Sequence, residues 1–245
     1  MLTLSKKKMS IDSLHVNHIA GFFSCCTVIL DVILDYFNKN KKCPKSVNTT
    51  HSFYWHKTQE EFANNIDIKS KYFETDNTKQ IPYIKDICIT NEDTQQQFTD
   101  FDKLNYQDVK PFIEKYFSPS QEIKYIIHFM ERKYEIDYNN TCVLFYRGND
   151  KAKEMILPKY ESFIERGKTL EKEYPNIFYD EIRYMSNNPK TTVDRVYAHL
   201  NPIMSKNFLA ITYIMSRCKY VVCGTGNCSY WIALFRGHSN NMLQV

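Results

Sequence analysis

From Tyr220 to Phe235 the chain reads Tyr-Val-Val-Cys-Gly-Thr-Gly-Asn-Cys-Ser-Tyr-Trp-Ile-Ala-Leu-Phe, and its character changes twice. The apolar run Tyr220–Cys223 has the composition of a buried strand. Small residues follow (Gly224, Thr225, Gly226, Asn227, Cys228, Ser229), then a helical stretch from Tyr230 to Phe235. A strand entering a helix through such a loop gathers backbone N–H groups and the positive end of a helix dipole at one point, which favours a phosphate or another anion. Two of the six glycines fall here, where the backbone needs freedom and close approach. The Ser229 hydroxyl is expected to cap the helix and to add a ligand.

A second anion-friendly feature lies earlier. Cys142-Val143-Leu144-Phe145-Tyr146 is a continuous apolar run, as in a central parallel strand buried on both faces. It ends in the polar turn Arg147-Gly148-Asn149-Asp150-Lys151, and the segment from there to Tyr174 reads as helix. Ligands of such βα units sit at the carboxyl ends of the strands, where Arg147 can hold a phosphate bidentately. Asp150 is placed to orient that arginine or to cap the helix. Chemistry suited to the pair of loops is sugar transfer from a nucleotide diphosphate. The anomeric carbon–oxygen bond breaks, charge grows on the leaving diphosphate, and positioned donors stabilise it.

The elements that must position these residues make the chain α/β. In the first half Ile19–Phe23 reads as a strand, Cys26–Asn38 as a helix ended by Pro44, and Ser52–Trp55 as a second strand. The stretch 60–102 is polar and reads as long loops around the apolar island Ile81–Ile89. Tyr106–Tyr116 and Ser120–Lys133 read as helices, the second with its cap at Ser118-Pro119-Ser120. The boundary is placed at 119/120, giving an N-terminal half (1–119) and a C-terminal half (120–245). Met204–Ala210 opens a further helix, with Lys206 in a first turn that would suit a bound anion. Asn176–Tyr179 reads as a short connection and Asp180-Glu181-Ile182-Arg183 as a helix start. That leaves roughly three strands for the second half.

With 43% hydrophobic and 15% aromatic residues in 245, the chain can bury a sizeable core, and its few glycines and prolines argue against a disordered one. The formal charge is only +4, without the basic stripe of a nucleic-acid binder. All seven arginines nevertheless lie beyond residue 120. The first apolar run, Ile19–Leu30, is too short to span a membrane. Eight cysteines without a CxxC pair, Cys25 and Cys26 adjacent, suit reduced thiols in a cytoplasmic protein.

The metal-binding patterns are thin. Asp100-Phe101-Asp102 is a DxD in a polar loop, and His15 and His18 stand three apart without a third ligand. No metal and no resident cofactor is expected. Cys218, Cys223 and Cys228 recur every five residues but point in different directions on a strand, loop and helix.

Phe145-Tyr146-Arg147-Gly148-Asn149-Asp150-Lys151 resembles the His-x-Arg-x-x-Asp-Lys motif of the fucosyltransferase-like GT-B glycosyltransferases, in register at Arg147, Asp150 and Lys151, with Phe145 at the histidine position. Tyr220–Arg236 resembles their closing nucleotide-phosphate loop. The whole chain, including Gly21-Phe22-Phe23-Ser24-Cys25-Cys26 and Asp180-Glu181-Ile182-Arg183, is similar to glycosyltransferase-like proteins of giant DNA viruses. The resemblance implies two Rossmann-like halves, the first on the acceptor side and the second holding a nucleotide sugar such as GDP-fucose. It implies transfer to a hydroxyl of a glycan or other acceptor without a metal. By the same resemblance the donor diphosphate falls to Arg147, Asp150 and Lys151 and to Gly224, Thr225, Gly226, Asn227 and Ser229.

Overall fold

The computed structural model describes residues 13–75, 78–82, 84, 87, 98–146, 156, 158–173, 178–180 and 202–245. They form a mixed α/β protein with two parallel sheets.

The N-terminal part begins with β1 (Ser13–His15), α1 (Phe22–Asn40) and β2 (Ser46–Asn48), the two strands pairing in parallel. The expected strand at Ile19–Phe23 is not formed. The helix starts at Phe22 behind Gly21, so that Phe22 and Phe23 are buried side chains of its first turn. Phe22 packs 5.1 Å from Phe53, and Phe23 5.4 Å from Phe208. Aromatic burial at helical spacing thus overrides the short apolar run that had suggested a strand. The expected strand at Ser52–Trp55 fails for a backbone reason. Phe53 is left-handed (φ 56°) and leads into a 3-10 turn, Tyr54–His56, so the chain turns where a strand would extend.

Two short helices follow, α2 (Gln59–Ala63) and α3 (Lys69–Tyr72). A capping box starts α2: Thr58 Oγ1 accepts from Glu61 N–H at 3.2 Å, and the Glu61 carboxylate accepts from Thr58 N–H at 2.8 Å. Helices α4 (Tyr106–Tyr116) and α5 (Gln121–Lys133) stand where their periodicity placed them, with Ser120 Oγ accepting from Ile123 N–H. The expected 119/120 boundary falls in the turn between them, yet Ser120 N–H and Oγ both donate back across it, to the Tyr72 and Lys71 carbonyls at 2.9 Å. One hydrophobic cluster extends from Val16 to Met242 across that point.

The C-terminal part carries β3 (Thr141–Phe145), α6 (Tyr160–Glu173), β4 (Phe178–Asp180), α7 (Pro202–Arg217), β5 (Tyr220–Cys223), α8 (Asn227–Arg236) and β6 (Met242–Gln244). Its sheet is parallel throughout, in the order β4-β3-β5-β6. The reading of 176–179 as a mere connection is corrected at Phe178–Asp180, which pairs with Thr141–Val143, and Met242–Gln244 adds a further strand.

Every residue of β3 and β5 is buried, and alternation divides them between two layers. Cys142, Leu144, Tyr220 and Val222 pack with Phe163 and Leu170 of α6, while Val143, Phe145, Val221 and Cys223 join the main core with α7 and α8. Helices therefore cover both faces, which is why these strands read as unbroken apolar runs. From β3 the chain steps to β4 on one side, then returns past β3 to β5 on the other, so the order of the sheet reverses between β3 and β5. Among the described residues no helix is long and apolar enough to cross a membrane.

Candidate functional site

The two sequence features open from neighbouring strands. Phe145, the last residue of β3, is the register partner of Cys223, the last residue of β5. The ends of β3 and β5 consequently stand side by side, at the carboxyl edge and at the point where strand order reverses. Crevices at such a point are where open α/β sheets hold ligands. Arg147, Asp150 and Lys151 lie outside the described residues, as do Glu181, Ile182 and Arg183.

The loop after β5 is built by one glycine more than by the other. Gly226 has φ 135° and ψ 162° and is the N-cap of α8. A side chain is strained at that φ, so the entry to the helix depends on glycine. Gly224 has ordinary geometry, and a Cβ there would meet only Phe163 Cζ at 3.6 Å. Gly224 and Thr225 are partly exposed while Gly226 is buried.

The structure corrects the cap expected at Ser229. The helix begins at Asn227, which places Ser229 within the first turn, 1% exposed. Its hydroxyl lies beside the Cys223 thiol. Burial pushes that thiol up to about 12, and the hydroxyl pulls the other way. The Asn227 carboxamide is drawn toward the N-terminal part, its Oδ1 accepting from Thr27 Oγ1 at 3.1 Å. Ser229 and Asn227 thus support strand–helix and helix–helix packing, and the groups of this loop able to attract an anion are the backbone N–H groups and the amino end of α8.

The edge of the site is closed by the C-terminal strand. Val245 N–H donates to the Cys223 carbonyl at 2.9 Å. Gln244 clasps the segment before α4, its Oε1 accepting from Phe101 N–H at 2.8 Å and its Nε2 donating to the Thr99 carbonyl at 3.2 Å. The sequence signal for this strand was the short apolar run at Met242 and Leu243.

Other candidates resolve into structural roles. Asp100 accepts from Asp102 N–H at 3.1 Å and so caps a 3-10 turn, Phe101–Lys103, with Phe101 in the core. His18 Nε2 is 2.9 Å from Ser24 Oγ, joining the loop after β1 to the first turn of α1. Lys206 pairs with the Glu122 carboxylate of α5, which accounts for a lysine in the first turns of α7. The described cysteines are all free thiols. Among the described residues no three or more His, Cys, Asp or Glu gather to hold a metal ion. No protein-family model matches the chain, and no curated protein matches it significantly.

Proposed function

We propose that the protein is a metal-independent glycosyltransferase of two Rossmann-like halves, moving a sugar from a nucleotide diphosphate to an acceptor hydroxyl. The observation that supports this reading is the pairing of Phe145 with Cys223 at the reversal of strand order, which brings together the strand ends that lead to Arg147 and to the Gly224–Gly226 loop. In this reading the Arg147 guanidinium takes two diphosphate oxygens, Asp150 and Lys151 complete the turn, and the backbone entering α8 faces the same charge. As the anomeric carbon–oxygen bond breaks, these donors stabilise the leaving diphosphate. Removing one is expected to slow transfer by roughly 10²–10³-fold. The resemblance at Arg147, Asp150 and Lys151 favours a fucosyl-type donor such as GDP-fucose, with residues 1–119 on the acceptor side.

Thermal-shift measurements with GDP, UDP, ADP and their sugars, with and without EDTA, test the donor pocket. A nucleoside diphosphate should raise Tm by mass action, EDTA should leave the shift intact, and Arg147→Ala should remove most of it. No shift at millimolar nucleotide would overturn the reading, and unchanged binding by Arg147→Ala would remove that residue from it.

A non-catalytic nucleotide- or glycan-binding protein is the second reading, favoured by the engagement of Ser229 and Asn227 in packing. Hydrolysis or transfer of the bound sugar nucleotide distinguishes the enzyme from the binder.

A further inference from the structure

A cavity of about 570 Å³ lies away from the proposed donor pocket, its described lining residues all between Cys43 and Tyr116. Its size falls in the ~300–1,000 Å³ range of small-molecule sites. Three lysines line it, and they differ in one respect. Lys115 Nζ donates to the Lys79 carbonyl at 2.6 Å, and Lys45 has a partner of its own. Among the described residues, half-buried Lys69 has no hydrogen-bond acceptor or ion-pair partner for its Nζ, which lies 5.8 Å from the centre of the Tyr116 ring. The two carboxylates of the wall are already engaged. Asp67 accepts from Thr49 N–H and Oγ1 and from Lys69 N–H, and Glu74 pairs with Lys124.

A half-buried ammonium without an acceptor is an unmet demand for negative charge. Burial lowers the Lys69 pKa, with Asp67 opposing, as an ammonium lacking a close partner should show. The Tyr116 hydroxyl is buried without a hydrogen bond of normal geometry, the Cys43 thiol being its neighbour. Pro44 and Val47 supply apolar wall beside these groups.

We propose that this cavity is a second ligand site, taking a small organic monocarboxylate whose charge pairs with the Lys69 ammonium and whose apolar body lies against Tyr116, Pro44 and Val47. A single negative charge suits it better than a phosphate dianion, because Asp67 and Glu74 stand on the same wall.

Ligand-observed NMR titration of the full chain with benzoate, its uncharged isostere benzamide and inorganic phosphate is the test. Benzoate should bind saturably, with benzamide and phosphate weaker by about tenfold or more, the scale of one charge-assisted hydrogen bond. Lys69→Met should weaken benzoate to the level of benzamide while leaving the nucleotide-induced Tm shift unaltered, and Lys69→Arg should restore most of the binding. Benzoate that does not bind, or that binds no better than benzamide, overturns the proposal. Equal binding by Lys69→Met does so too. Should that variant fail to fold, the benzoate–benzamide difference on the wild-type chain decides alone.

Discussion

Trp231 Nε1 donates a 2.9 Å hydrogen bond to Oγ1 of Thr27, joining positions 204 residues apart. The same hydroxyl lies 2.9 Å from the Phe23 carbonyl and 3.1 Å from Asn227 Oδ1. Trp231 has no exposed surface, so its indole N–H relies on a buried partner, which among the described residues is this hydroxyl. One threonine therefore fixes α1 against the first turns of α8, the helix that follows the candidate loop.

Thr27→Val keeps the shape and removes the acceptor, leaving the indole N–H buried and unpaired. The expected loss is about 1–3 kcal/mol, read as a Tm lower by about 2–4 °C per kcal/mol for a chain of this size. Thr27→Ser should retain most of the stability. Equal melting of Thr27→Val and wild type would show that the bond carries no net free energy.

Much of this was legible in the sequence, and the exceptions have physical causes. Tyr106–Tyr116, Ser120–Lys133 and Tyr220–Cys223 were readable because long-range contacts only reinforce their local periodicity and caps. Ile19–Phe23 and Ser52–Trp55 misled because aromatic residues suit a strand and a buried helical turn equally well. At Phe22 the packing against Phe53 tells the two apart, and at Phe53 the left-handed backbone does, neither of which a local window contains. Strands of three residues at Phe178 and Met242 owe their existence to a sheet already present beside them. At the site, the parallel pairing of the two strands that lead to the loops was readable from strand–turn–helix order. The departure of the Ser229 and Asn227 side chains was not, since it depends on where the helix starts and on Thr27.

Gly226 and Gly224 should respond differently to the same substitution. Gly226→Ala forces a side chain onto φ 135°, at a cost of about 1–3 kcal/mol. It should also weaken nucleotide binding, because the amino end of α8 must re-aim. Gly224→Ala places its Cβ in ordinary contact with Phe163 and should change Tm by little. Paired melting and nucleotide-titration curves check this. A Gly226→Ala protein as stable as wild type would mean the loop can relax without that backbone.

Buried thiols give stability a predictable alkaline limit. Burial pushes Cys142 and Cys223 up to about 12 from an ordinary 9.0. Between those values the unfolded chain has released protons that the folded chain still binds, so stability is full below pH 9 and falls as pH rises toward 12. Each thiol contributes about 1.4 kcal/mol per pH unit in that window. Urea unfolding in steps from pH 8 to 10.5 should therefore show a shallower decline for Cys142→Ala than for wild type. An unchanged slope would count against burial as its origin.

Arg236 is the last residue of α8 and grips the ends of its neighbours. Its Nη1 donates to the Ser216 carbonyl at 3.2 Å and also to the Cys218 carbonyl. Its Nη2 reaches the carbonyls of Lys219 at 2.6 Å and Asn240 at 2.9 Å. The carbonyls at the end of α7, the lead into β5 and the turn before β6 are thus held by one planar cation, just before the left-handed Gly237 (φ 74°) that ends α8. Lysine carries the charge but not the fork, and a single ammonium cannot span carbonyls that face it from three segments. Arg236→Lys should cost about 1.5–3 kcal/mol, the scale of hydrogen bonds to a charged donor. Because these contacts sit at the amino end of β5, opposite the carboxyl edge where Cys223 leads into the candidate loop, the loss should appear in Tm and leave nucleotide affinity of the folded protein unchanged. A variant with normal Tm and impaired binding would instead place Arg236 in the binding machinery.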